Sequence, residues 1–177
     1  GRRTFLLYFL SIIIVNFVIM VAVTVPGLAA VFTEVGNAAN AGDTAAVEAA
    51  ALDSMVEIGL PATLVKTGIA LGILNIVLLA TAFCRRAHDA GLPGLVLAIP
   101  LGLQLVWMFF SYRQLDGLES TMRAAVEAAQ AGTGADVQTG MIAQDLIGWV
   151  AVLIVLVVGM MKSQPGTNQY GASAASE

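Results

Sequence analysis

Apolar residues gather in four long blocks along this chain, and the polar residues lie almost entirely between them. The first block, "TFLLYFLSIIIVNFVIMVAVTV", runs from Thr4 to Val25 and meets Pro26-Gly27, a pair that predicts a stop. The second is "VKTGIALGILNIVLLATAFC", Val65 to Cys84, with Lys66 at its outer end, where a flexible stem can reach the interface. The third spans Leu95 to Tyr112 and contains Pro100, which predicts a kink near its start. The fourth, "LIGWVAVLIVLVVGMM" from Leu146 to Met161, reaches crossing length only by extending back past Asp145, which then belongs to the first helical turn. A hydrocarbon core of about 30 Å needs about 20 apolar residues of helix, so each block predicts a membrane crossing.

Between these blocks the periodicity changes. From Asp43 to Gly59, Val47, Ala51, Met55 and Ile58 share one helical stripe, with Asp43 placed as the N-cap. In the second outer segment Leu115, Leu118, Met122, Val126 and Ala129 recur at spacings of three and four. Both predict amphipathic helices lying on the bilayer or on the bundle. "TAAVEAA" from Thr44 and "RAAVEAA" from Arg123 lie 79 positions apart, each between two blocks. Such a repeat fits two parallel helix-loop-helix halves, although similar words recur by chance in alanine-rich helices. The end, "KSQPGTNQYGASAASE", has no apolar period and predicts a solvated tail. "GRRTFLL" resembles the start of an export signal, but the apolar run that follows exceeds the usual signal core of about 7 to 15 residues, so a first anchor is expected.

Composition agrees with lipid as the solvent: 58% of the 177 residues are hydrophobic and 11% charged, with a mean hydropathy of +0.86. Charge then sets orientation. Arg2, Arg3, Arg85, Arg86 and Lys162 fall on one side of the predicted crossings, and Lys66, Arg113 and Arg123 on the other. The two arginine pairs adjoin crossing ends, where basic residues favour the cytoplasm, so both termini and the "RRAHDAG" segment are expected there. A net charge of -4 with no basic run argues against nucleic acid.

"CRRAHDAGLPG", Cys84 to Gly94, holds the only Cys and the only His. One of each falls short of a zinc site and cannot form an internal disulfide. Arg85 and Arg86 would each cost about 2.5 to 3.5 kcal/mol at a bilayer centre, and Gly91, Pro93 and Gly94 follow as turn formers, which predicts a short loop at a membrane face. Two roles fit Arg85, Arg86, His88 and Asp89: setting topology, with Asp89 pairing an arginine or capping the next turn, or contacting a lipid headgroup. No nucleophile with oxyanion-hole glycines accompanies the His-Asp pair, so no enzyme activity and no cofactor are expected. Within the blocks, Gly68 and Gly72 form a GxxxG word that permits close helix approach, and Asn16 and Asn75 are placed to bond between helices. No ionisable residue occupies the centre of a block, which disfavours ion-coupled transport and leaves a neutral pathway open.

"RRAHDAGLPGLVLAIP" resembles the "RRLHDxGxSGWW" signature of an uncharacterised bacterial inner-membrane family, domain of unknown function 805. The opening "GR" and the closing "PGTNQYG" are similar to that family's ends. Leu95 and Val96 stand where the family often has aromatics, Pro93 replaces a small polar residue, and the outer segments are long. The resemblance implies a small multi-pass inner-membrane protein with Arg85, Arg86, His88, Asp89, Gly91 and Gly94 as its signature, and no activity.

These readings give an all-α membrane protein. Four transmembrane helices are expected over about 4–25, 65–84, 95–112 and 144–161, within residues 1–162, and a polar tail over 163–177. Two amphipathic periplasmic helices are expected at about 43–59 and 115–131. The function expected is that of a non-catalytic accessory or scaffold subunit contacting membrane lipid and a larger membrane protein complex. The rival is a transporter or channel for a small neutral or lipid-like solute, whose mark would be a polar cavity lined by Asn16, Asn75 and Gln104.

Overall fold

A computed structural model describes residues 1–40, 44–130, 135–164, 167–168 and 171–172. The described chain is helical: α1 (Arg2–Asn40), α2 (Thr44–Glu57), α3 (Leu60–Asp89), α4 (Ala98–Gln114), α5 (Leu118–Gln130) and α6 (Ala135–Met160). Short 3-10 turns at Gly94–Leu97 and Leu115–Gly117 lead into α4 and α5. Near the C-terminus Thr167–Asn168 pairs antiparallel with Gly171–Ala172.

Among the described residues three helical stretches are long and apolar enough to cross a membrane, Arg2–Asn40, Leu60–Asp89 and Gly94–Ala124, with a shorter apolar stretch at Asp145–Met160. Their large apolar side chains point outward: Phe17 is 68% exposed, Val77 67% and Trp149 65%. An apolar surface of this extent is unfavourable in water and costs nothing against acyl chains. The chain is therefore built as a membrane protein.

Several element boundaries correct the sequence expectation. α1 does not stop at Pro26-Gly27 but continues to Asn40, about 58 Å at 1.5 Å per residue. The proline removes one hydrogen bond, to the carbonyl of Ala22, whereas ending a helix in an apolar environment would leave a whole turn of carbonyls unpaired. Leu60 packs onto Gly27 so closely that a Cβ there would lie 2.6 Å from Leu60 Cδ1, and the distal part of α1 pairs with α2.

Pro100 sits in the first turn of α4, directly after the 3-10 turn at Gly94–Leu97, where its missing N–H costs the helix least. α6 begins at Ala135, so Asp145 lies in mid-helix rather than in a first turn. On α2, Val47, Ala51 and Met55 are half-buried while Ile58 is 42% exposed, and Ser54 is the buried polar residue, its Oγ donating to Ala50 O at 2.7 Å. The expected caps and stripe positions at Asp43, Val126 and Ala129 lie outside the residues whose side chains are described. Arg123 on α5 ties to Asp53 on α2 at 2.9 Å and to Glu119 at 3.3 Å, linking α2 and α5 through an exposed ion pair.

The tightest packing lies at one end of the bundle. Phe83, Ala87 and Val158 form a buried cluster from α3 and α6, flanked by Leu92, Val96, Leu97, Val155 and Met161. Directly beyond it lies the Cys84–Gly94 stretch.

Candidate functional site

The stretch from Cys84 to Gly94 begins as a helix end rather than a loop. Cys84 to Asp89 continue α3, and the turn is confined to the next few residues. Gly91 carries φ +74, its N–H donates to His88 O at 2.9 Å, and Leu92 N–H donates to Ala87 O at 2.8 Å. This is a Schellman closure, in which the left-handed residue lets the chain fold back onto the last carbonyls. The positive φ is what requires glycine; a Cβ there would also run into the end of the exposed Gln164 side chain, which can swing aside. Helical propensity of "CRRAHD" and the stop at Gly91 together explain why the polar residues extend the helix instead of breaking it.

The two arginines part company. Arg85 is exposed, whereas Arg86 is only 4% exposed. Nε and Nη2 of Arg86 each donate to Gly159 O at 3.2 Å, and Nη2 also donates to Met161 O at 2.6 Å. Nη1 donates to Ser163 Oγ at 3.1 Å and pairs with Asp89 Oδ2 at 3.4 Å. The guanidinium therefore caps the C-terminal end of α6, whose last carbonyls have no intrahelical donor and whose dipole presents negative charge. The backbone returns the tie, since Gln164 N–H donates to Asp89 O at 2.9 Å.

His88 and Gly94 complete the motif. A Cβ at Gly94 would lie 3.2 Å from His88 Nε2, so the missing side chain lets the turn close over the imidazole, and Cys84 Sγ lies 3.9 Å from the same nitrogen.

Farther from this clamp, the amides expected to act between helices meet. Asn16 Nδ2 donates to Asn75 Oδ1 at 3.0 Å, joining α1 to α3. Gly72 faces α4, where a Cβ would lie 3.1 Å from Gln104 Nε2, and Gly68 faces Trp107 at an ordinary 3.6 Å. Thus the GxxxG face admits α4, and its closest approach is at Gly72.

Around these residues the bundle carries two clefts that open to its outside. One chamber of about 210 Å³ extends towards the Arg86 end and is walled by Phe9, Ile12, Leu79, Phe83, Leu101 and Val155 among others. A second of about 400 Å³ extends the other way, towards Trp107, Asp145 and Trp149. Asn16, Gly72, Asn75, Gln104 and Val152 line both, so the chambers meet at an amide waist. Asn16 and Asn75 stand near the midpoints of the first two apolar blocks, and Gln104 and Val152 near those of the third and fourth. The waist therefore lies at one level, halfway along the apolar stretches.

Asn16 Oδ1 is the one buried side-chain oxygen or nitrogen without a hydrogen bond among the described residues. An unpaired buried acceptor costs about 1–3 kcal/mol. At the far chamber Trp107 Nε1 donates to Asp145 Oδ1 at 3.4 Å, joining α4 to α6. Sequence reading named Asn16, Asn75 and Gln104 but had no way to foresee the Trp107–Asp145 contact or the capping role of Arg86. Each depends on helix registers that single-sequence periodicity leaves free.

No curated protein and no solved structure matches the chain. A family model does, over residues 1–172: protein of unknown function, DUF805. With a match covering nearly the whole sequence, the chain belongs to the DUF805 family.

Proposed function

We propose that this chain is a non-catalytic, multi-pass protein of the bacterial inner membrane that admits a small neutral or lipid-like solute into its helix bundle. The observation carrying this reading is the pair of chambers joined at the Asn16–Asn75–Gln104 waist. Clefts walled by hydrocarbon with a few convergent amides have the make-up of small-molecule sites. Neutrality follows from the lining, which offers amides at the waist and a single ionisable side chain, Asp145, at one end. Four crossings with both ends in the cytoplasm belong to the same proposal, supported by the apolar stretch Asp145–Met160 and by the arginine pairs.

Thermal unfolding of the full chain in nanodiscs, against alkanols, alkyl amides, alkyl carboxylates and alkylamines of one chain length, tests the reading. Neutral compounds should raise the midpoint, and Val152→Trp, which fills the waist, should abolish the gain. Equal shifts for all four classes, or for none, would contradict it.

An accessory-subunit role is the second reading. It is favoured by the outward face of α6, where Trp149 is 65% and Val157 56% exposed, and by exposed acids on the outer helices, Asp53 and Glu119. Extraction in gentle detergent from the native membrane separates the two, because a subunit co-purifies with a stoichiometric partner and a solute-binding protein does not require one.

A further inference from the structure

We infer that the end of the bundle carrying Arg86 binds the phosphate of an anionic phospholipid through the exposed cations Arg2, Arg3, Arg85 and Lys162. The inference is independent of the solute reading, since none of these residues lines either chamber.

Its first support is convergence. α1 and α3 run antiparallel, with Gly27 against Leu60 at one end and the Tyr8 hydroxyl donating to Leu78 O at 3.0 Å towards the other. Arg3 lies five residues before Tyr8 and Arg85 seven after Leu78, so at 1.5 Å per residue both stand about 8–10 Å beyond that bond. The end of α6 reaches the same level: the Phe5 ring occupies the space beside Gly159, and Arg86 holds Gly159 O and Met161 O, directly before Lys162. Cations from three neighbouring helix ends therefore share one rim.

The second support is a division of labour between the arginines. Asp89 is the one carboxylate in the stretches 1–8, 78–97 and 153–164 that build this end, and Arg86 already engages it. Arg2, Arg3, Arg85 and Lys162 are exposed, and none of them makes an ion pair among the described residues. Arg123, on α5, is by contrast held by Asp53 and Glu119. The fold thus spends one arginine on its own backbone and leaves four cations at the rim without a carboxylate. A guanidinium presents parallel N–H donors that match two oxygens of a phosphodiester.

A lipid, rather than a soluble phosphate, is indicated by what adjoins the rim. Leu7, one turn after Arg3, and Val77, two turns before Arg85, are exposed apolar residues. A phospholipid seated by its headgroup lays its chains along that surface, whereas a free phosphate gains nothing from it.

Native mass spectrometry of the full chain in neutral detergent, titrated with phosphatidylglycerol or with phosphatidylcholine of the same acyl chains, tests the inference through the affinity of the first lipid bound. Phosphatidylglycerol should bind at least about fivefold more tightly, the contribution of a single cation at an anionic surface. Arg85→Gln, Arg3→Gln and Lys162→Gln, made one at a time so that the failure of one variant to fold leaves the others to decide, should each reduce the preference. Arg113→Gln, distant from this rim, should leave it unchanged. Equal affinity for the two lipids would overturn the inference. A loss at Arg113→Gln as large as at Arg85→Gln would overturn the location. Glycerol phosphate displacing phosphatidylglycerol at equal concentration would overturn the lipid as the source of the phosphate. Each of these failures leaves the solute reading standing, because neither chamber is involved.

Discussion

Replacing Arg86 by Ala removes a nearly buried cation that holds three backbone or side-chain oxygens of the α6 end and one carboxylate of its own helix. The size of the effect follows from what is left behind. Gly159 O and Met161 O lose their donors, and Asp89, with 30% of its side chain exposed, loses its partner. Hydrogen bonds to charged groups are worth about 1.5–3 kcal/mol each, and loss of one partner from a buried ionic cluster about 3–5 kcal/mol, because the carbonyls and carboxylate stay desolvated. The contributions overlap, so the lower figures apply together: a loss of about 3–4 kcal/mol for Arg86→Ala. Arg86→Lys keeps the charge but presents a single ammonium in place of the fork and should lose about 2 kcal/mol. Arg85→Ala, at an exposed position, should stay within about 0.5 kcal/mol. Reversible unfolding in mixed micelles, followed by fluorescence of Trp107 and Trp149, measures all three. Equal losses at Arg85 and Arg86 would refute the clamp, and so would Arg86→Lys matching the unaltered protein.

Gly91→Ala should cost at least about 1–2 kcal/mol from the left-handed backbone alone, and Gln164→Ala in the same chain should relieve only the side-chain collision, leaving the backbone part visible in the unfolding curve. A methyl group at Gly159 runs into the Phe5 ring, so Gly159→Ala should lower stability by about 1–3 kcal/mol, with partial recovery in the double variant Gly159→Ala/Phe5→Leu. Breaking the exposed Arg123–Asp53 pair with Asp53→Ala should leave the unfolding midpoint unchanged at 0.5 M salt, as befits ions that solvent already screens. A cysteine at Ala172, with Cys84 replaced by Ala, should resist an impermeant maleimide in intact cells and react once the membrane is opened; labelling in intact cells would rule out a cytoplasmic C-terminus.

The apolar blocks of α1, α3 and α4 were legible because crossing length and composition are one-dimensional properties. Where the helices ended was less so. Pro26 marked a stop only by local rules, and those rules yield when the alternative is unpaired backbone in an apolar setting and a close neighbour at Leu60. Arg85 and Arg86 were legible as special but not as a cap: what separates Arg86 from Arg85 is which face of α3 meets α6, a register the sequence does not carry. Asn16, Asn75 and Gln104 stood out as polar residues at the centres of apolar blocks. That they surround a void is a matter of what fails to fill the space between four helices, and no pattern along the chain records it.

The account turns on whether the waist can be reached by a small neutral molecule. With Cys84 replaced by Ala, single cysteines at Gln104 and at Val77 should be exposed to N-ethylmaleimide with the protein in nanodiscs. Gln104 lines both chambers, and Val77 lies on the outer surface, 67% exposed among the apolar residues expected to face lipid. Rapid modification is expected at position 104, blocked by Val152→Trp, and negligible modification at position 77. Slow, equal reaction at both positions, unaffected by Val152→Trp, would contradict it.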